Sequence, residues 1–385
     1  MTLSLAPILW SLPWVLPPIV AIVRALHSRR LDDFPADVAD APLVSVIIPA
    51  RNEANNIARC VRSVLASRYP KLEVIVVDDH STDGTGDIAR ATAAGDSRIQ
   101  VISNPDLPSG WFGKQWACEN GAKIARGDTL VFTDADTEHA PDLLGRVVNA
   151  MRARRADLLT LAGDQEMHTF WERVIQPQLF AMIAMRYGGT EHVSTSRRPA
   201  DVIANGQFIA VNREAYEAVG GHALVRDRVA EDLSMAQEFV RSGRRMSLLI
   251  ATEQFSTRMY SSLEEIVRGW RKNIYAGGRH AALGGSLGRA LYPFLLIAVP
   301  IVGLAPPVAL ILAISGILST TWLVWAVIVV AVALVFWGAI YAFMRAPVSY
   351  AMLYPLGLVM LLYIATGAVA RGRNVEWKDR KYEAV

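Results

Sequence analysis

Two aspartates, Asp134 and Asp136, follow the apolar run Thr129-Leu130-Val131-Phe132-Thr133. Such a run suits a strand inside a parallel sheet. Open α/β sheets bind ligands beyond the carboxyl ends of their strands. Carboxylates gathered at such an end need a cation to neutralise them. A hard divalent ion, shared with the pyrophosphate of a substrate, meets that need. The pair therefore points to chemistry on a nucleotide-activated substrate.

Three more polar clusters sit where an element ends or begins. Pro49-Ala50-Arg51-Asn52-Glu53 closes a first apolar strand, Val44–Ile48. Val77-Asp78-Asp79-His80-Ser81-Thr82-Asp83-Gly84-Thr85 closes a second, Leu72–Val77, and Glu231-Asp232 opens a later helix. Ile99–Ile102 and Asp157–Leu161 read as further strands. Apolar residues at helical spacing predict helices over Glu53–Ala66, Asp87–Ala94, Lys114–Ala125 and Pro141–Arg154. The alternation predicts a mainly parallel sheet covered by helices, with the four clusters along one edge. Beyond residue 162 the pattern is less regular. The bulky apolar stretch 167–187 reads as a core helix or as a helix at a membrane surface. Ile203–Val211 resembles a strand, and Asp232–Arg241 a helix stopped near Gly243.

Hydrophobic residues form 52% of the 385, and mean hydropathy is +0.26. The excess gathers at the N-terminus and beyond about residue 290, which predicts a polar middle flanked by membrane segments. Leu3–Leu26 is nearly uncharged and long enough to cross a bilayer. A cleaved signal peptide competes, but no basic stretch precedes the run and no clear cleavage site follows it. Arg24, His27, Arg29 and Arg30 place the next domain in the cytoplasm by the positive-inside rule. Thr321–Phe343 and Tyr350–Ala370 read as spans. Leu291–Leu318 contains Pro300, Pro306 and Pro307 and could be one kinked span or a re-entrant pair. The second option would keep the basic tail Arg371–Lys381 cytoplasmic. The expected organisation is a transmembrane helix at 1–28, a linker at 29–42 and a catalytic domain at 43–285. Membrane helices at 286–371 and a basic tail at 372–385 complete it, all at the inner (cytoplasmic) membrane. A net charge of +3 is too small to argue for nucleic acid as a partner. Cys60 and Cys118, the only cysteines, lack metal-ligand or disulfide spacing and fit a reducing compartment.

In this order the clusters resemble those of the family 2 glycosyltransferases of GT-A fold, over residues 43–275. Gly110-Trp111-Phe112-Gly113-Lys114-Gln115-Trp116-Ala117 and Ala204-Asn205-Gly206-Gln207-Phe208 look like the membrane-bound branch that glycosylates lipids. The carotenoid and chlorobactene glucosyltransferase group is nearest, and the hopanoid-associated enzymes are more distant. The resemblance implies a Rossmann-like α/β GT-A fold with transmembrane helices at both ends. It implies inverting transfer of one sugar from a nucleotide-sugar, UDP-glucose, to a membrane lipid, with Mg2+ or Mn2+ as cofactor. Asp79 would accept a hydrogen bond from the uracil N–H. Ala50 and Glu53 would contact the nucleoside, and Lys114 the nucleotide or its phosphates. Asp136 would ligate the metal, and Asp134 the metal or the ribose. Direct displacement also needs a carboxylate near the acceptor hydroxyl to take its proton; Asp232 is the expected base and Glu231 the alternative. Downstream, Arg268-Gly269-Trp270-Arg271-Lys272 keeps the spacing of two family arginines, Arg268 and Arg271, which suit pyrophosphate. Lys272 stands where the family carries tryptophan, which favours single-sugar transfer over polymer synthesis. His222 is expected to be a packed structural residue.

Rival readings are a polyprenyl-phosphate or polysaccharide glycosyltransferase, and a catalytically silent membrane scaffold that binds a nucleotide-sugar. A dehydrogenase is disfavoured, because no Gly-x-Gly-x-x-Gly follows the first strand.

Overall fold

The computed structural model describes residues 6–280, 282, 284–371, 374–377 and 380–383. It divides into two compact units, one built mainly from residues 28–166 and 190–259, the other from the remaining helical segments.

Ten strands form the two larger sheets of the first unit: β1 (Val44–Ala50), β2 (Leu72–Asp78), β3 (Ile99–Ser103), β4 (Thr129–Thr133), β5 (Thr137–His139), β6 (Leu158–Ala162), β7 (Asp164–Gln165), β8 (Phe208–Asn212), β9 (Met246–Ile250) and β10 (Phe255–Thr257). Seven form one sheet in the order β3-β2-β1-β4-β8-β6-β9. β1, β2, β3 and β4 are mutually parallel, as are β6 and β9; β8 runs antiparallel to both its neighbours. The sheet is buried because its strands are β-branched on both faces: Val46, Ile47, Ile48 and Val74 to Val77 are all fully covered. A small second sheet, β5-β10-β7, lies beside it. Its strands of two or three residues are too short for periodicity to reveal.

Two expectations shift. The predicted strand 203–211 begins only at Phe208, so residues 203–207 form a loop. The helix expected from Glu53 begins at Ile57. The reason is local. Asn52 adopts left-handed φ (52°), and the Glu53 and Ala54 amides are already donated to Thr85 Oγ1 and Asp83 Oδ2.

The second unit holds the helices Ala6–Ala25, Phe170–Tyr187, Leu263–His280, Gly285–Ile314, Thr320–Phe343 and Tyr354–Arg371. Among the described residues three segments are long and apolar enough to cross a membrane: Gly285–Ile314, Thr320–Phe343 and Val348–Arg371. The N-terminal helix is shorter, and Met1 to Leu5 of the expected first span lie outside the described residues. Gly285–Ile314 is one continuous helix despite its four prolines, so no re-entrant pair forms. Proline lacks an N–H and orphans the carbonyl four residues earlier. For two such carbonyls in this unit a neighbouring helix supplies the donor. Trp14 Nε1 donates to Val302 O at 2.9 Å, the carbonyl freed by Pro306. Tyr341, fully buried, donates to Arg173 O at 2.8 Å, the carbonyl freed by Pro177. The stretch 170–187 is thus an interior helix of this unit, started by a Thr169–Glu172 capping box. Gly357 permits its close crossing with Tyr354–Arg371, since a Cβ there would lie 2.8 Å from Val174 O.

Candidate active site

Because β1, β2 and β4 are adjacent and parallel, Ala50, Asp79 and Asp134 emerge at one edge of the sheet. The first two strand-end loops are zipped together. The Asp79 N–H donates to Ala50 O at 2.8 Å. The Arg51 guanidinium donates to Asp79 O at 2.6 Å. His80, like Asn52, sits in the left-handed region, with φ 56°, a conformation that costs energy and is concentrated at functional turns. Asp78 holds its own loop, accepting from the Ser81 N–H at 3.2 Å. Asp79 itself is 2% exposed and accepts from Asn104 Nδ2 at 2.9 Å.

The turn Asp134–Asp136 is fixed by its backbone, which leaves its side chains for the site. Asp134 O accepts from Thr137 Oγ1 at 2.8 Å, and the Asp134 N–H donates to Gln207 O at 3.2 Å. Asp136 O accepts from Arg59 Nη2 at 3.2 Å, while the same guanidinium pairs with Glu166 at 3.1 Å. Behind the turn, Thr133 and Thr137 bond the buried His139, whose imidazole burial depresses to about 3 and so keeps neutral.

Lys114 ties the acidic groups together. Its ammonium lies 2.7 Å from Asp134 Oδ1 and 3.0 Å from Glu231 Oε1, and donates to Gly206 O at 3.2 Å. Burial alone would depress this group, but the Asp134 and Glu231 charges outweigh it and hold it well above its ordinary value. Glu231 is thereby engaged in an ion pair. Asp232 is engaged differently: its Oδ2 accepts from the Gly206 N–H at 2.8 Å, and its Oδ1 from the Leu233 N–H at 2.7 Å. Burial and the Glu231 charge raise Asp232 to about 6. Asp136 is raised to about 7 by burial and by the charges of Asp134 and Glu53, which places Glu53 within electrostatic reach of both aspartates.

The structure therefore brings Ala50, Glu53, Asp79, Lys114, Asp134, Asp136, Glu231 and Asp232 to one edge. Arg268 and Arg271 belong to the other unit. There Arg268 pairs with Glu264 at 3.8 Å, and Arg271 stacks over Tyr363 at 4.5 Å. His222 is packed, as expected: it lies against Phe132 and meets the Tyr216 hydroxyl at 2.8 Å. Sequence reading missed Arg59, Gly206 and Asn104 as members of the site. Asn104 was discoverable, since it directly follows β3 at the same edge. Gly206 stood in the quoted segment Ala204–Phe208, but its place at this edge was hidden, because only the reversed strand β8 delivers it.

Among the described residues no group of three or more acidic, histidine or cysteine side chains is poised around an ion. Asp136 Oδ1 is nevertheless buried without a hydrogen-bond partner. That orphan is a hard oxygen donor, which fits a divalent cation.

The parallel sheet with one reversed strand and an acidic turn at its edge define a GT-A fold. Residues 45–220 match the glycosyl transferase family 2 model. It is similar to 4,4'-diaponeurosporenoate glycosyltransferase of Staphylococcus haemolyticus, 29% identical over 241 residues that cover 61% of each chain. The protein of the same name from Staphylococcus aureus is 26% identical over 238 residues, again 61% of each. The match thus spans about three fifths of these relatives. In structure the chain resembles a mannosyltransferase from Pyrobaculum calidifontis in complex with GDP-Man and Mn2+, with TM-score 0.57 and 20% identity over 95% of this chain and 97% of that one.

Proposed function

We propose that the protein is an inverting glycosyltransferase that moves one sugar from a nucleotide-sugar, UDP-glucose, to a hydroxyl or carboxylate of an apolar membrane lipid such as a carotenoid. The observation that carries this is the linkage of Asp134, Glu231 and Asp232 through Lys114 and Gly206. Carboxylates distant in sequence converge there beside an orphaned Asp136 oxygen. Asp232 is the base: its elevated value suits proton uptake near neutrality, whereas Glu231 is held by Lys114. Asp136 would hold a divalent cation, Mg2+ or Mn2+, which supplies Lewis-acid stabilisation of the departing diphosphate. Asp79 and Glu53 bind the nucleoside. Lys114 keeps Asp134 and Glu231 oriented.

The acceptor class rests on the carotenoid-modifying relatives and on the three apolar helices, which keep the enzyme where an apolar acceptor dissolves. The site then faces the cytoplasm at the inner membrane, where nucleotide-sugars are available. The test is transfer of radiolabel from UDP-glucose to an isoprenoid lipid extract by the full chain in detergent, with mass analysis of the product. Transfer lost on chelation and restored by Mn2+ or Mg2+ is expected. Donor hydrolysis or transfer that survives exhaustive chelation would overturn the cation's role; absence of any turnover with any lipid would favour a silent scaffold.

A further inference from the structure

Behind Asp79 runs a chain of two amides, one buried and one half-buried, that no expectation assigned. Asn104, 2% exposed, directly follows β3, and its own N–H donates to Asp78 O at 2.9 Å. Its Nδ2 donates to Asp79 Oδ1 at 2.9 Å, and its Oδ1 accepts from Asn120 Nδ2, also at 2.9 Å. Asn120 lies on the helix Gly113–Ile124, the helix that also carries Lys114.

The direction of this chain follows from chemistry alone. An ionised carboxylate can only accept hydrogen bonds. The Asn104 atom facing Asp79 must therefore be its amino group, which turns its carbonyl toward Asn120. Asn120 must then donate. Reversing either amide would set two acceptors against each other. The relay thus fixes the orientation of the Asp79 carboxylate, while Ala50 O and Arg51 fix its backbone on both sides.

We infer that Asn104 and Asn120 are positioning residues that make the donor site select nucleobases presenting a ring N–H at the pairing edge, uracil in place of cytosine. This rests on the donor-binding reading given above. Uracil N3 carries a hydrogen that a fixed acceptor receives. Cytosine N3 is itself an acceptor and would face Asp79 with no proton between them. Sites built to receive a specific hydrogen bond discriminate far more strongly than apolar pockets do, because a buried polar group is left unpaired by the wrong ligand.

The test is calorimetric binding of UDP and CDP, with Mn2+ present, to the full-length protein in detergent. Wild type is compared with Asn104→Leu and Asn120→Leu, each checked by thermal melting. Wild type is expected to favour UDP by on the order of 100-fold or more. Asn104→Leu is expected to lower the UDP:CDP ratio at least tenfold, and Asn120→Leu by a smaller factor. A merely structural role would weaken both nucleotides equally and leave the ratio unchanged. An unchanged ratio in Asn104→Leu would overturn the inference; if that variant does not fold, the Asn120→Leu ratio decides in the same way. Wild type binding neither nucleotide would sink the donor reading itself, and UDP selectivity that survives in the variants would sink only the relay.

Discussion

The two units solve the same problem, buried polarity, by opposite means. At the sheet edge, charges are concentrated and neutralised in part. Lys114 joins Asp134 and Glu231, while Asp136 keeps an unmet oxygen and Asp232 is pushed toward neutrality. In the helical unit the polar groups freed by proline are neutral carbonyls, and the Val302 and Arg173 carbonyls each receive one aromatic-side-chain donor. The first region stores electrostatic tension, which ligand binding and catalysis can use. The second removes it. Substitutions should therefore cost function in one place and only stability in the other.

The largest effect is expected at Asp232. Asp232→Asn should lower transfer by about 100- to 10,000-fold, the usual contribution of a general base, measured as kcat/KM with the labelled donor. The wild-type rate should fall about tenfold per unit as pH drops below about 6. Stability should move the other way. The folded protein holds the Asp232 proton to about 6, against 3.8 for the ordinary group, so native protein binds more protons between those values. Stability then declines as pH rises through that window, and the whole cost is present at pH 8. Asp232→Asn should melt at a higher temperature than wild type at pH 8 and lose that advantage near pH 4. An Asn variant that is both inactive and less stable at pH 8 would break the contrast drawn between the units.

Lys114→Met comes next. Removing one partner of a buried ion pair costs about 3–5 kcal/mol. With the Lys114 side chain 23% exposed, the lower end is expected, read as a fall in melting temperature and in donor affinity together. The smallest effect is expected in the helical unit. Tyr341→Phe deletes only the hydroxyl that caps Arg173 O, and hydrogen bonds between membrane helices average about 0.6 kcal/mol. Its melting temperature should drop slightly while kcat/KM stays within twofold of wild type. A large loss of transfer would show that the helical unit also tunes the chemistry.

Much of the sheet edge was legible because its logic is local. A buried β-branched run followed by carboxylates marks a strand end, and that rule alone located Asp79, Asp134 and Asp136. Glu231 and Asp232 were visible as an acidic helix start. The pattern did not reveal which of the two is engaged by Lys114, since an ion pair across 117 residues leaves no periodic trace. Gly206 depended on the reversal of β8, and Arg59 on a guanidinium reaching back to a carbonyl. The continuous helix Gly285–Ile314 was hidden for a related reason: its prolines read as breaks until the donors on other helices are known.

The Trp14 bond to Val302 joins residues 288 positions apart. The donor is synthesised before the seven-stranded sheet, and its acceptor arrives only after that whole sheet has been made. This contact must therefore close late, once the proline-rich helix has entered its final environment. Truncating the leading helix would remove an element that completes assembly, although it carries none of the acidic groups at the sheet edge.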